Sequence, residues 1–524
     1  MVRTFAAIDV GSFELELGVY EISDKNGIQT IDHVKHVVSL GSETHQNGRI
    51  SYGSVEEMCV VLNDFLRIMK GYQVQDYRAY ATSAFRESNN SQIVLDQIRV
   101  RTGIEVRIIS NSEQRFICHK AIAAKDALFQ RAIQKGTAIV DVGFGSMQVS
   151  LFDKDAMIST QNLPLGILRI RELLMQAKAT PEVEKIIVSE MVDNELVTFR
   201  KMYLKDREVQ SLIAIGEPVL ALHFQRQNQD SQGEVRENQV TKAEVDAAYE
   251  KLSHMTKDQI EDAFQVSAGF APVLFPTAAI YKRVMEITGA DTLWIPGIRL
   301  VDGITADYAE VKKLLKFNHS FTNDIIATAR GMAKRYKCPM PHVQMVEQTA
   351  LRLFDCLKKY HGLRDRERLL LQIAANLYFC GNFVTMRDAT ESAYNIIMAT
   401  EIIGLSHLER EIVANVVRYL SKTFRYDSMQ IEARTSVYSR LTNPQHPELT
   451  IAKLIAILRL ASAMDRSHQA KLADSRFTIR GSKLVIGTDY AGDVTLEAMA
   501  IEAKCDFFEE IYGIRPVLKQ TKKV

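Results

Sequence analysis

Cysteine is scarce in this chain and scattered. Its six residues (Cys59, Cys118, Cys338, Cys356, Cys380 and Cys505) form no C-x-x-C pair. That argues against zinc or disulfide frameworks and fits reduced structural thiols of a cytosolic protein. An excess of one charge is also missing: 65 Lys and Arg face 64 Asp and Glu, a net charge of +1. No global field therefore directs the chain to DNA or to a membrane, and any anion site has to be built locally. No uncharged run approaches the roughly 18 residues that span a bilayer. A signal-like run is lacking too, because the N-terminus enters a strand almost at once and Asp9 interrupts it. A cytoplasmic location is expected.

What is present is length, 524 residues with 46% hydrophobic and 25% charged content. That is ordinary globular composition, too long for one core, so three or four domains are expected. The most informative stretch is Thr137 to Leu151, TAIVDVGFGSMQVSL. A short apolar run ends in Asp141, a Gly-rich turn follows (Gly143, Phe144, Gly145, Ser146), and then an alternating segment. This predicts a hairpin whose tip exposes backbone N–H groups beside one carboxylate. Such turns make anion-binding concavities, and an adjacent Asp can hold a cation or orient a water. A near copy stands at Phe5 to Val19, FAAIDVGSFELELGV, with Asp9, Gly11 and Ser12 in the matching places. Two such hairpins about 130 residues apart point to a duplicated half-domain with two loops facing across a cleft.

Elsewhere, a helix is expected over Ser54–Gly71, opened by a Ser54-x-x-Glu57 capping box. Strands are expected at Asp76–Ala81, Glu105–Ile109, Ser211–Ile215 and Thr292–Pro296. Arg86, in ATSAFRESNN (81–90), sits at a loop-to-helix start, suited to anion contact or to plain solvation beside an N-cap. Glu113 falls at a strand-to-helix junction, an address shared by catalytic groups and by helix-dipole stabilisers. Residues 226–239 read as a polar loop, and Thr241-x-x-Glu244 as a further capping box. From about residue 323 to 422 nearly everything is helical. Alternation returns at 475–501, followed by a final helix near Lys504–Tyr512 and a basic tail.

The ordered set AAIDVGS (6–12), ATSAFRESNN (81–90), IISNSEQR (108–115), IVDVGFGS (139–146) and LPLGILRI (163–170) resembles the exopolyphosphatase / guanosine pentaphosphate phosphohydrolase (Ppx/GppA) family, within the actin-like phosphotransferase superfamily. APVLFPTAAIYKRVME, PGIRLVDGI and ILRLASAMDRS extend the likeness along the chain. The resemblance implies an α/β fold of two actin-like, ribonuclease-H-like lobes (1–128 and 129–308). An all-α HD-like domain (309–468) and a small α+β C-terminal domain (469–524) follow. It further implies Mg²⁺-assisted release of a terminal phosphate from polyphosphate or guanosine pentaphosphate in the interlobe cleft. Inorganic polyphosphate or guanosine penta/tetraphosphate is the implied partner, with no DNA or membrane, in a homodimer.

By the same resemblance Asp9, Gly11 and Ser12 form the first phosphate loop, and Asp141, Gly143, Gly145 and Ser146 the second. Asp141 and Asp9 are the implied metal ligands, Arg86 the phosphate-contacting arginine, and Glu113 the carboxylate that activates water. Matching from the serine end would instead place Gln114 at the base position; the alignment keeping Glu113 is preferred because Arg115, Phe116 and Ile117 then fit. The chain departs from the family pattern at Phe13 and Glu14 of the first loop, at Glu16 where Arg is common, and at Phe144, Met147 and Gln148 of the second, which removes a carboxylate. In the helical domain His342 survives, but the His-Asp pair of HD proteins falls at Tyr378-Phe379. Those side chains cannot replace an imidazole and a carboxylate at a divalent site. Residues 320–465 are therefore expected to be scaffold, or a surface where bases such as Arg366, Arg368, Arg418 and Lys422 hold a polyanion, with His342 a surface or cap residue. The alternative to hydrolysis is a catalytically weakened phosphate- or alarmone-binding regulatory protein. A sugar or acetate kinase of the same superfold is disfavoured, since Gly216-Glu217-Pro218 stands where the Gly-rich adenosine loop would be.

Overall fold

The computed structural model describes all residues except 1, 125–126, 155, 178–179, 206, 223–237, 268–269, 427–440 and 521–524. The polar segment expected at 226–239 lies almost wholly outside the described residues. The chain forms two compact units, Met1–Phe321 and Thr322–Val524.

The first unit contains two sheets, each including one of the paired hairpins. β1 (Arg3–Val10), β2 (Glu14–Ser23), β3 (Gly27–Val37), β4 (Asp76–Ala81) and β5 (Val106–Ile108) form a sheet in the order β3-β2-β1-β4-β5. β6 (Thr137–Val142), β7 (Met147–Asp153), β8 (Ala156–Leu163), β9 (Ser211–Ile215), β10 (Gln239–Thr241) and β11 (Thr292–Trp294) form the second, ordered β10-β11-β9-β6-β7-β8. In both, an antiparallel three-strand meander continues into parallel strands. β1 and β6 are flanked on both sides and covered, and their apolar runs Phe5–Ile8 and Ala138–Val140 are wholly buried.

Each sheet has its own core. Under the first, the helix Tyr52–Gly71 buries Val55, Met58, Leu62, Phe65 and Met69 on one face. That helix starts earlier than the sequence pattern predicts: Ser51, not Ser54, is the N-cap and accepts from the Ser54 backbone N–H at 3.2 Å. Ser54 instead donates to Glu43. A helix not foreseen in sequence, Leu40–Asn47, follows β3 directly. Under the second sheet runs Ala271–Thr288, buried around most of its circumference, whose Tyr281 hydroxyl lies 3.3 Å from both the Val140 and Ile215 carbonyls.

The helix Leu300–Val311, assigned by the sequence to the second lobe, packs against the first sheet. Tyr308 stacks on Phe5 with centroids 4.0 Å apart, and Tyr20 donates to Asp302 at 2.8 Å. Its buried Asp307 binds Arg78 at 2.8 Å and Lys120 at 2.7 Å. A buried charge with two cationic partners is strongly committed to its place, because losing either leaves an uncompensated charge.

The second unit is helical, with its main helices at Met340–Cys356, Asp365–Leu377, Ala389–Ala399, His407–Arg418 and Pro447–Ala463. It closes with β12 (Arg476–Arg480), β13 (Lys483–Thr488) and β14 (Arg515–Gln520). The alternation read over 493–501 is not a strand but the first turns of the helix Thr495–Tyr512. Lys519 and Gln520, the start of the expected basic tail, belong instead to β14, which pairs in parallel with β13. This α+β piece is not a separate unit: Tyr512 donates to the Lys453 carbonyl of the helix Pro447–Ala463 at 2.7 Å.

Candidate functional site

The two hairpins are superposable in register. Asp9 pairs with Glu16 and Val10 with Leu15; Asp141 pairs with Gln148 and Val142 with Met147. Gly11 N–H donates to the Glu14 carbonyl at 3.0 Å, and Gly143 N–H to the Ser146 carbonyl at 3.0 Å. Each turn is backed by a second glycine at the start of a helix. Gly41 N–H bonds the Ser12 carbonyl at 2.8 Å, and a Cβ there would lie 2.8 Å from the Ser12 Cβ. Gly166 is tighter: a Cβ would come within 2.2 Å of the Gly145 carbonyl carbon, while Leu168 N–H holds the Phe144 carbonyl at 2.9 Å. The LPLG motif therefore shapes the second loop from behind.

The tips meet. Phe13 and Phe144 pack with ring centroids 4.4 Å apart, and Phe270 sits edge-on to both at 6.3 and 6.2 Å. The sequence reading treats Phe13 and Phe144 only as departures from a loop pattern. Their complementarity shows only when both hairpins are placed together, and no spacing rule would have found it.

The two aspartates have different surroundings. Asp9, 7% exposed, keeps its Oδ1 buried without a hydrogen-bond partner. Burial, then Glu16 and Glu14, push its carboxyl well above the usual carboxylate range, only partly offset by Lys35 and Arg86. Glu16 itself is ion-paired to Lys35, with His33 at 3.7 Å; burial raises its pKa, but these partners bring it down to about 2. Asp141 faces a cation supplied by the other sheet's helix, Asn111–Ala123. Arg115, 4% exposed, places its Nε 3.3 Å from Asp141 and donates to Ser146 Oγ at 2.9 Å and Asn162 Oδ1 at 2.8 Å. Burial raises the Asp141 carboxyl, and Arg115 opposes the rise. Arg115 entered the sequence reading only as an alignment marker; it is the residue that ties the second loop to the first half of the unit.

Ser12 is buried and shares a 2.8 Å hydrogen bond with Ser83, next to the short helix that carries Arg86. Arg86 donates to the Ile109 carbonyl (2.8 Å), Asn111 Oδ1 (2.6 Å) and Gln114 Oε1 (3.2 Å). Glu113 is the N3 residue of a capping box. Its Oε2 accepts from the Ser110 backbone at 3.0 Å and the Ser110 hydroxyl at 3.1 Å, and Oε1 is ion-paired to Arg107. Thus it is Gln114, not Glu113, whose side chain reaches Arg86. Gly143, Gly145 and Ser146 form the second turn as expected.

The fit to a divalent ion can be judged from these donors. Mg²⁺ asks for carboxylate and water oxygens in near-octahedral array. The residue opposite Asp141 is the neutral Gln148, which hydrogen-bonds Thr160 and lies 3.4 Å from Ser150 Oγ. Among the described residues no group of three or more His, Cys, Asp or Glu is placed to hold a metal ion. At the second loop the donor set does not fit the ion, since Asp141 is paired to Arg115 and faces an amide; Asp9 of the first loop keeps an unpartnered oxygen.

In the helical unit His342 is buried, not a surface residue. Its Nδ1 lies 2.7 Å from Asp465, its Nε2 2.5 Å from the Tyr378 hydroxyl, and His468 stacks on it at 3.5 Å. Both ring nitrogens are thus engaged by the chain's own groups. Arg366 is ion-paired to Glu409, Arg368 to Asp355, and Arg418 and Lys422 to Glu391. A cavity of about 540 Å³ touches Thr137 and Gln210, at the end of β6 remote from Asp141. Among the described residues no helix is long and apolar enough to cross a membrane.

The comparisons with known proteins agree with this architecture. The bifunctional 3-dehydroquinate synthase/phosphatase of Fusobacterium nucleatum subsp. nucleatum is 24% identical over 175 residues, 32% of this chain and 26% of that protein. Exopolyphosphatase 1 of Mycobacterium tuberculosis is 26% identical over 164 residues, 31% of this chain and 46% of that protein. The chain thus spans less than half the length of these curated relatives. The fold is that of the Ppx/GppA family member of Aquifex aeolicus, with TM-score 0.50 and 21% identity over 61% of this chain and 100% of that one. An exopolyphosphatase structure from Cytophaga hutchinsonii matches with TM-score 0.50 and 18% identity, over 59% of this chain and 98% of that one. The model of the Ppx/GppA phosphatase family matches residues 19–310, and that of Ppx/GppA phosphatase domain III matches 326–495. The second loop lies inside the first match, and the first loop just before it. With more than half of its residues matched by the one model and its helical unit by the other, the chain belongs to the Ppx/GppA phosphatase family.

Proposed function

We propose that this protein is a phosphoanhydride hydrolase of exopolyphosphatase type, taking the terminal phosphate of polyphosphate or of guanosine pentaphosphate between its two loops. The observation that supports this most is the pair of hairpins in identical register, tips in contact within one unit, each offering turn N–H groups beside an aspartate. Phosphoryl transfer is mostly positioning and charge neutralisation, which turn amides, Ser12 and Ser146 hydroxyls and the Arg86 guanidinium supply. Glu113 is the carboxylate for orienting water; to act, it has to leave Ser110 and Arg107.

That requirement favours a second reading, a phosphate- or alarmone-binding regulatory protein of reduced turnover. In it the cleft keeps its anion-holding parts while an amide, Gln114, stands beside Arg86. One experiment separates the two: phosphate release from long-chain polyphosphate by wild type, Glu113→Gln and Gln114→Glu. Loss of activity in Glu113→Gln supports the hydrolase with its base at 113. An inactive wild type that gains roughly a hundredfold or more in Gln114→Glu, the usual scale of a positioned base, establishes the binding reading. No release from any of the three, with no calorimetric binding of tripolyphosphate, would remove both.

A further inference from the structure

We infer that the second loop works without a divalent cation, because the Arg115 guanidinium already occupies the cationic position on Asp141. The inference rests on the cleft being a phosphoanion site. A hydrated Mg²⁺ gives up water only to strongly anionic oxygens. The charge in contact with Asp141 is the Arg115 guanidinium, which offsets it, while the Glu87 carboxylate stands at the loop tip, 3.4 Å from where a Gly145 Cβ would be. The cross-strand position that would carry a second carboxylate holds Gln148, an amide set among the hydroxyls of Ser150 and Thr160. A 2+ ion at Asp141 would lie against the buried guanidinium in a medium where charge repulsion is poorly screened.

The arginine is built in rather than incidental. It is 4% exposed, and its Nε, one terminal nitrogen and the other reach Asp141, Asn162 and Ser146 respectively. It comes from the helix whose N-terminus carries Glu113 and Gln114, so the cation is fixed by the fold instead of being recruited from solution. Offsetting Asp141 this way lessens the repulsion that a bare carboxylate would exert on an incoming phosphate, and leaves the turn amides at 144–146 to receive it. Arg115 is a positioning residue: it acts on the anion through Asp141 and the loop.

The test uses full-length protein and Mn²⁺ alone, with free ion counted by electron paramagnetic resonance. Wild type is expected to show no bound Mn²⁺ that Asp141→Asn removes. The double variant Arg115→Gln/Gln148→Glu, which deletes the guanidinium and restores a carboxylate pair, is expected to gain a single site, tightening Mn²⁺ binding by roughly tenfold or more. Gln148→Glu alone, with the arginine kept, is expected to gain none. Mn²⁺ bound by wild type and lost in Asp141→Asn would overturn the inference, whether or not the double variant folds. A folded double variant without a site would overturn it too, since Arg115 would then not be what excludes the ion. Calorimetry with tripolyphosphate decides the underlying reading separately. Binding in chelator supports the inference, and binding only after Mg²⁺ is added overturns it. No binding under either condition removes the phosphoanion cleft while leaving the Mn²⁺ result standing.

Discussion

The two loops share strand register, turn hydrogen bonds and a backing glycine, yet their aspartates have neighbours of opposite charge. Asp9 is buried with an unpartnered oxygen and two glutamates nearby; Asp141 is buried against an arginine from across the unit. The backbone motif therefore does not decide what its carboxylate does. The neighbours do, and they come from distant parts of the chain: Glu14 and Glu16 from the next strand, Arg115 from a helix that ends a different βα unit. Burial raises both carboxyls; neighbouring glutamates deepen the cost at Asp9, and Arg115 offsets part of it at Asp141.

The contrast can be broken most directly at Arg115. Arg115→Leu leaves Asp141 buried and uncompensated and is expected to lower stability by roughly 3–5 kcal/mol in urea unfolding. Asp9→Asn, which removes a charge that Lys35 and Arg86 offset only in part, is expected to be neutral or stabilising in the same assay. Equal losses from the two variants would erase the distinction.

The backing glycines sharpen the comparison at the next scale. Gly166→Ala forces a Cβ onto the backbone of Gly145 and Phe144, and an overpacking cost of about 1–3 kcal/mol is expected. Gly41→Ala meets mainly the Ser12 side chain and is expected to cost less. Matching thermal denaturation of both variants checks the order.

The pH dependence follows from the direction of the Asp9 shift. Its folded pKa is raised, so the native state holds that proton more tightly than the unfolded chain does. The stability this contributes is fully present below the unfolded carboxylate pKa and is lost as pH rises through the folded value. The stability difference between Asp9→Asn and wild type should accordingly grow in favour of the variant as pH climbs from acid toward neutrality. A difference flat with pH would mean Asp9 finds a partner in solution. The smallest effect belongs to the rings. A double-mutant cycle on Phe13→Ala and Phe144→Ala is expected to give a coupling of about 0.5–1.5 kcal/mol.

Much of this was legible in the sequence where local chemistry decides. The strands Asp76–Ala81 and Ser211–Ile215 fall where alternation and apolar runs put them, and the Thr241–Glu244 capping box forms as its spacing predicts. The reading failed where a residue's role depends on partners far away in the chain. Residues 493–501 alternate like a strand, but the helix Thr495–Tyr512 buries Glu497 and Ile501 at helical spacing, and tertiary packing overrode the pattern. Glu113 falls at the predicted junction, but its partners there, Arg107 and Ser110, are not legible from spacing. His342 was taken for a surface group because its partners, Tyr378 and Asp465, lie 36 and 123 residues away.

The glycine behind the second loop has a mechanical consequence. With Gly166 pressed on Gly145, and Ile167 and Leu168 N–H groups bonded to the Gly143 and Phe144 carbonyls, the turn has no slack of its own. The helix Ile167–Ala177 runs on directly from these contacts. A tilt of that helix would carry the Phe144 ring against Phe13, so the gap between the loops would respond to forces applied outside the cleft.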